Sequence, residues 1–270
     1  MQPIVDVHAH YLASDPEAIG HYRRLVESPE LARVVVCALD LRLDPSPAFP
    51  FMSIFCTTNE QLAALVETLA SQKIVPFAYI DPRQPDAARQ AEYWVRERGM
   101  RGIKLYPPLG WYPDEPRVLP TFQAAEALGV PVLIHMGRVA PHPQLRSKFA
   151  RPLCLEDVGL ACPSLRLIIG HFGTPWHWEA ADIAVGFPNF FFDLTTSGSL
   201  DLQLLKLVLE YPYLGLRRIV LGTDGSGRDN LTRAQETLAR LRGGGFTEEQ
   251  LAAIAHHNGL AALAEASAEA

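Results

Sequence analysis

Short apolar runs recur along the chain, separated by longer stretches in which apolar residues return at three- and four-residue spacing. The runs are IVDVHAH (4–10), RVVVCAL (33–39), IVPFAYI (74–80), RGIKLYP (101–107), PVLIHMG (131–137), LRLIIGHF (165–172), FFFDLTT (190–196) and RIVLGTD (218–224). They are rich in β-branched and aromatic residues and bounded by Gly, Pro or Asp, which marks them as strands. The stretches between them read as helices. NEQLAALVETLASQ begins with an Asn suited to capping it. DAARQAEYWVRERG and LPTFQAAEALGV both stop at a Gly.

Eight strands alternating with helices predict parallel β/α units, and eight such units close into a (β/α)8 TIM barrel. A doubly wound open sheet is the competing α/β arrangement. It has fewer strands and a glycine-rich phosphate loop after the first, where this chain carries HAHYLAS. One segment breaks the rhythm. Residues 40–58, rich in Pro and Phe, read equally as an active-site cover or as a packing insertion. No repeat or linker divides the 270 residues, so 1–270 is expected to form one barrel domain with a fraying AEASAEA tail.

Composition narrows the partners. Hydrophobic residues make up 48% and charged residues 20%, enough core and too little charge for a disordered chain. A formal net charge of −6 leaves no basic excess to neutralise phosphates, so no nucleic-acid partner is expected. The four cysteines form no C-x-x-C pair, and Cys37 lies within an apolar run, which reads as a buried thiol in a reducing, cytoplasmic compartment. No basic leader or long apolar stretch is visible, so neither a signal peptide nor membrane attachment is expected.

In a β/α barrel the chemistry sits at the C-terminal ends of the strands. The first strand ends in His8 and His10, the fifth in His135, the sixth in His171 and the eighth in Asp224, while the fourth carries Lys104 and Tyr106. Side chains alternate along a strand, so His8 and His10 are expected to share a face with Asp6, leaving Val5, Val7 and Ala9 to pack against helices. Two imidazoles on one face reach one cation. His135 and the Asp224 carboxylate complete a set suited to Zn²⁺, and also to Mn²⁺, Fe²⁺ or Co²⁺. Taken singly, each feature has a plainer reading. H-x-H pairs are often incidental, strand-end histidines are often structural, and an Asp before Gly225 often caps a turn. The conjunction favours a metal, because four of nine histidines fall at the mouth ends of three strands. His21, His142, His177, His256 and His257 fall in loops or helices and read as surface or structural, although His142 and His177 lie close enough to strand ends to line the mouth. A divalent ion lowers the pKa of bound water from about 15.7 to about 7 and polarises a carbonyl. A neighbouring imidazole then moves protons, and Asp224 binds the ion, takes a proton, or does both.

At these residues the chain resembles the amidohydrolase superfamily, in particular its amidohydrolase-2 branch. That branch includes aminocarboxymuconate-semialdehyde decarboxylase, resorcylate decarboxylases and pyrone dicarboxylate lactonase. The matching pieces are VDVHAH, RGIKLYPP, PVLIHMG, RPLCLEDVGLACPSLRLIIGHFG, NFFFDLTTSG and IVLGTDG, in the family's order and over nearly the whole chain. HHNGLAAL resembles the closing helix, with Asn258-Gly259 where an Asn-Ala pair is usual.

The resemblance implies that His8 and His10 are the first-strand ligands, His135 the fifth-strand ligand, and Asp224 the eighth-strand acid, a ligand or proton acceptor. His171 matches the sixth-strand histidine, which holds the attacking water in single-metal members and binds a second ion in two-metal members. Lys104 lies in the strand that supplies a carboxylated lysine in two-metal members, yet an IKLHP-type lysine is also common with one metal. One metal, most simply Zn²⁺, is expected here; otherwise Lys104 is a pocket cation.

The implied activity is hydrolysis of an amide, ester or lactone carbonyl in a small acidic substrate. Decarboxylation of an aromatic or unsaturated carboxylic acid is the alternative, since the branch does both with the same ligands. A non-catalytic binding protein would be free to lose such a complete ligand set. Lys104, Tyr106, Arg138 and Trp176 are the expected substrate contacts, with His142, Arg146, Trp178 and Arg228 in nearby loops. Ordinary surface arginines and packing tryptophans are the plainer reading of these. Asp6 and Asp193 are placed to orient ligand histidines or to serve as structural acids. TDGSGRDN after the eighth strand replaces the branch's aromatic Asp-Tyr-Pro, and LYP replaces LHP, departures that bear on the substrate and not on the metal.

Overall fold

A computed structural model describes residues 2–44, 54–195, 202–210 and 216–264. Eight parallel strands follow one another in chain order around a single sheet. They are β1 (Ile4–His10), β2 (Leu31–Cys37), β3 (Ile74–Tyr79), β4 (Gly102–Leu105), β5 (Val132–Ile134), β6 (Leu167–Ile169), β7 (Phe190–Asp193) and β8 (Ile219–Val220). The residues that follow β8 return to β1. Val7 N–H donates to Leu221 O at 2.9 Å, Asp224 N–H to His8 O at 2.7 Å and His10 N–H to Gly225 O at 2.8 Å. These bonds bring the two edges of the sheet together, so the chain is the single-domain (β/α)8 barrel that its hydrophobic pattern predicts.

One helix follows each strand: α1 (Ala18–Glu27), α2 (Asn59–Leu69), α3 (Ala87–Arg96), α4 (Leu119–Leu128), α5 (Glu156–Ala161), α6 (His177–Gly186), α7 (Leu202–Glu210) and α8 (Asn230–Gly243). The cap of α2 differs from expectation. Thr58 is the N-cap, in a reciprocal capping box with Gln61. Asn59 is already helical, and its amide pairs with both backbone groups of Tyr79 instead. Gly129 ends α4 at φ +69°, a left-handed turn that favours glycine.

Several strands are shorter than the apolar runs that announced them. β5, β6 and β8 stop before His135, His171 and Asp224. Inter-strand bonding continues past two of these ends, where His135 N–H donates to Leu105 O at 3.0 Å and Asp224 N–H to His8 O at 2.7 Å. The 40–58 segment is partly seen, with Leu39–Asp40 pairing antiparallel with Cys56–Thr57. Residues 45–53 of that segment, and Thr196 of the seventh run, lie outside the described residues.

Strict alternation fails in β1. Its register with β2 shifts between Asp6 and Ala9. Val5 and Val7 do not pack against the surrounding helices. They join Val35, Val75, Phe77, Leu133, Ile168, Phe191 and Val220 in one cluster drawn from seven strands, which is the barrel interior. Leu260 and Leu263 of the closing helix α9 (Asn258–Leu263) belong to the same cluster and plug the N-terminal end. The irregularity re-aims the following side chains, as bulges beside active sites commonly do. His8 and His10 still share a face, but Asp6 does not share it with them.

Candidate metal centre and active site

At the C-terminal end of the barrel a cavity of about 670 Å³ is lined by His10, Lys104, Tyr106, Arg138, His135, His171 and Asp224. Leu39, Leu41, Phe55 and Val139 form its apolar wall, and Thr195, Thr223 and Arg233 complete the polar side. His8 lies beneath this lining, fully buried.

His8, His10 and Asp224 offer three ligand atoms within 4.8 Å of one another. The two Nε2 atoms are 3.2 Å apart. Asp224 Oδ1 lies 3.1 Å from His10 Nε2 and 3.7 Å from His8 Nε2. The tautomer of His8 follows from its other nitrogen. Asp193 Oδ2 accepts from His8 Nδ1 at 2.8 Å, which places the proton on Nδ1 and leaves a lone pair on Nε2. That lone pair accepts from Lys104 Nζ at 2.9 Å.

His135 stands outside this group of three. Its Nδ1 faces His171 Nε2 at 3.0 Å, while its buried Nε2 has no hydrogen-bond partner among the described residues. An orphaned buried nitrogen in the same cavity lining as the His10 imidazole and the Asp224 carboxylate is the kind of donor that a divalent metal uses. The donor set therefore fits an ion of the Zn²⁺ or Mn²⁺ type.

Electrostatics point the same way. Burial, followed by the Lys104 charge, pulls His8 down to about 3. Burial also lowers His10, and burial followed by the His171 charge takes His135 well below its ordinary value. All three imidazoles are thus neutral at pH 7, the form that binds a metal. Burial opposes the charge on Asp193, but His8 outweighs it and holds that carboxyl at about 2. The same contest, decided by His10 and His8, keeps Asp224 well below the carboxylate range. Burial lowers Lys104 and raises Tyr106, whose ring sits 4.7 Å from that of His135.

The backbone is strained where the chemistry is expected. His171, Phe172 and Asp224 occupy the left-handed region at φ +57°, +48° and +53°. His171 is tied down on its other side as well. Its N–H donates to Asp193 Oδ1 at 2.8 Å, and its Nδ1 lies 2.9 Å from Thr195 Oγ1. Asp193 therefore serves both His8 and His171.

The expected substrate contacts divide. Lys104, Tyr106 and Arg138 line the cavity. Trp176 does not; it is half-buried just before α6, and the Arg151 guanidinium lies 5.4 Å from its ring centre. Trp178 and Arg228 point to solvent. Arg146 is spent on the carbonyls of His142, Pro143 and Leu145, and His142 Nε2 donates to Asp44 O at 3.1 Å. Arg233 lines the cavity and was not anticipated. It sits near the start of α8, and the signal for it is positional, because the helix after the last strand begins at the mouth. Asp229 accepts from its Nε at 2.6 Å.

Comparison with known proteins decides the family. The amidohydrolase (amidohydrolase-2) family model matches residues 5–263. The chain belongs to the amidohydrolase family. This family is metal-dependent, in keeping with the His8–His10–Asp224 cluster. No curated protein matches the chain by sequence. Among solved structures, 2,6-dihydroxybenzoate decarboxylase from Rhizobium is 18% identical at TM-score 0.70, covering 98% of this chain and 99% of that one. A dihydroxybenzoic acid decarboxylase from Polaromonas, with bound manganese and the inhibitor 2-nitroresorcinol, is 18% identical at TM-score 0.67, covering 98% and 97%. A probable 2-pyrone-4,6-dicarboxylic acid hydrolase from Acinetobacter baumannii, with citric acid bound, is 14% identical at TM-score 0.65, covering 98% and 100%. At these identities the likeness is one of fold. The chain has no helix among its described residues long and apolar enough to cross a membrane.

Proposed function

We propose that the protein is a metal-dependent hydrolase that attacks an amide, ester or lactone carbonyl of a small acidic substrate. The observation that carries this reading is the position of Asp224. Its side chain is 37% exposed and lines the cavity, while the His8 and His10 side chains beside it are 0% and 6% exposed. One charged group thus touches the ligand imidazoles and the reaction space together. That suits a carboxylate that binds the ion and takes a proton from the nucleophile.

The proposed ligands are His8, His10, His135 and Asp224, holding one ion, with Zn²⁺ first and Mn²⁺ next. The ion would supply a Lewis acid that activates water and polarises the carbonyl. His171, within hydrogen-bond distance of His135 and open to the cavity, moves a proton to or from the reacting atoms. Arg138 and Arg233 hold substrate carboxylate, and Lys104 and Tyr106 close the floor and side of the pocket. Buried free thiols at Cys37 and Cys162 support a reducing, cytoplasmic setting.

A decarboxylase is the second reading. It is favoured by the wall of Leu39, Leu41, Phe55 and Val139, which would suit the face of an aromatic acid, and by the decarboxylase relatives. The test is metal analysis of the purified protein, followed by a panel of lactones, amides and hydroxybenzoates. Metal-stimulated hydrolysis is expected. Release of CO₂ from hydroxybenzoates without hydrolysis of any carbonyl substrate would establish the second reading instead.

A further inference from the structure

One buried amide ties together the two strand ends that carry the metal ligands. Asn230, the first residue of α8, is 2% exposed. Its Nδ2 donates to Asp6 Oδ2 at 2.7 Å and to Thr223 Oγ1 at 3.1 Å, while its Oδ1 accepts from Gly227 N–H at 2.7 Å. Each of these partners lies next to the site. Asp6 Oδ1 accepts from the backbone N–H of His8 at 3.2 Å and of Thr223 at 3.0 Å. Thr223 precedes Asp224, and its hydroxyl donates to Asp6 Oδ2 at 2.6 Å while accepting from Gly225 N–H at 3.1 Å.

The amide fills the space against Gly225. A Cβ there would lie 2.5 Å from Asn230 Oδ1, so the turn and the amide are built to each other. Asp224 sits inside this turn at φ +53°, a conformation that a non-glycine residue keeps only when its surroundings hold it.

We infer that Asn230 is a positioning residue for the metal centre. Through Asp6 it fixes the backbone of β1 where His8 departs. Through Thr223 and Gly227 it fixes the strained turn that aims Asp224 back at His8 and His10. It does not line the cavity, and its side-chain bonds go to Asp6, Thr223 and Gly227 rather than to a proposed ligand side chain. The inference rests on the reading of His8, His10 and Asp224 as metal ligands. It explains why TDGSGRDN can be small and glycine-rich: the buried amide at its end supplies the rigidity that the loop's own residues lack.

Full-length Asn230→Ala and Asn230→Asp, stripped of metal, are titrated with Zn²⁺ against a chelating dye, with thermal unfolding of the metal-free proteins and amide exchange at Asp224 and Gly225 measured in parallel. Asn230→Asp keeps an acceptor for Gly227 at nearly unchanged volume, and serves where Asn230→Ala does not fold. The expected result is a loss of Zn²⁺ affinity on the order of 10- to 100-fold, with faster exchange at Asp224 and Gly225. A merely structural role would lower the unfolding temperature and leave the affinity of the folded protein unchanged; that result overturns the inference and leaves the metal reading standing. Wild-type protein that takes up no Zn²⁺ overturns the metal reading itself, and the inference with it.

Discussion

His8 Nδ1 lies 2.8 Å from the Asp193 carboxylate, and both side chains are fully buried. This pair sets the tautomer of a proposed ligand from β7, two strands away from β1 around the closed barrel. Asp193 also accepts from the backbone N–H of His171 at 2.8 Å, so one carboxylate couples the strand of the proposed ligands to the histidine proposed to move protons. Asp193→Asn is expected to weaken metal binding by roughly 10- to 100-fold, because a neutral amide no longer enforces the proton on Nδ1. A metal titration of the purified variant checks this. Affinity equal to wild type would mean that His8 is oriented by packing alone.

His171→Asn separates the one-metal reading from the two-metal reading. With one metal, the ion content stays near wild type while turnover falls by roughly 10²- to 10⁴-fold, the usual range for a lost general acid–base. With two, about half of the bound metal is lost as well. Elemental analysis beside a turnover assay reads both quantities in one preparation.

The residues of the candidate centre were legible because they close apolar runs. His8, His10, His135, His171 and Asp224 needed only the barrel and the rule that strand ends face the mouth. Asp6 was misread because period-2 alternation assumes an unbroken ladder, and the register shift between Asp6 and Ala9 breaks it. Arg233 and Asn230 were missed for a different reason. Both sit on α8, where the helical pattern reports only which face is buried and is silent on which turn overhangs the cavity. Trp176 follows β6 in sequence, yet it packs beneath Arg151 rather than lining the cavity. Loop position fixes neighbourhood along the chain, not direction in space.

Packing beneath the site supplies a stability prediction. Gly102 on β4 faces the Phe77 ring of β3, and a Cβ there would lie 2.3 Å from the ring edge. Gly102→Ala overfills the barrel interior and is expected to cost about 1–3 kcal/mol. Phe77→Leu in the same chain should recover part of that loss, because the two sites share one space. Denaturant unfolding of both single variants and the double variant gives the coupling. Strictly additive effects would place the strain elsewhere.

The pH dependence of metal-free protein follows from the buried imidazoles. His8 is held at about 3 against an ordinary 6.5, and His10 and His135 are lowered as well, all three chiefly by burial. As pH falls through 6.5 the unfolded chain takes up protons that the folded chain refuses. The stability His8 confers is therefore whole above 6.5 and is lost toward about 3, and His10 and His135 act in the same direction. Asp6 runs the other way. Burial raises it to about 7 from 3.8, so its contribution is present below 3.8 and is lost as pH rises to about 7. Three imidazoles outweigh one carboxyl in the overlap. The unfolding midpoint in chelator is expected to fall as pH drops below 6.5, and a midpoint that rises there would contradict the neutral assignment.

The acidic character of the proposed substrate turns on two arginines. Arg138 lies in the loop after β5 and Arg233 on α8, and both line the cavity that holds Asp224. Arg233 is anchored by Asp229, which fixes its direction at little entropic cost when a substrate arrives. The side chain of Arg138 makes no hydrogen bond or ion pair among the described residues, so it is free to move onto an anion. A charge-assisted hydrogen bond is worth about 1.5–3 kcal/mol, so Arg233→Ala should raise KM for an acidic substrate by roughly 10- to 100-fold. Hydrolysis of the matching neutral ester or amide should change little, because it never used the guanidinium. Arg233→Lys keeps the charge but loses the planar fork, and should fall between the two. Equal losses on acidic and neutral substrates would show that Arg233 shapes the pocket rather than reads the charge.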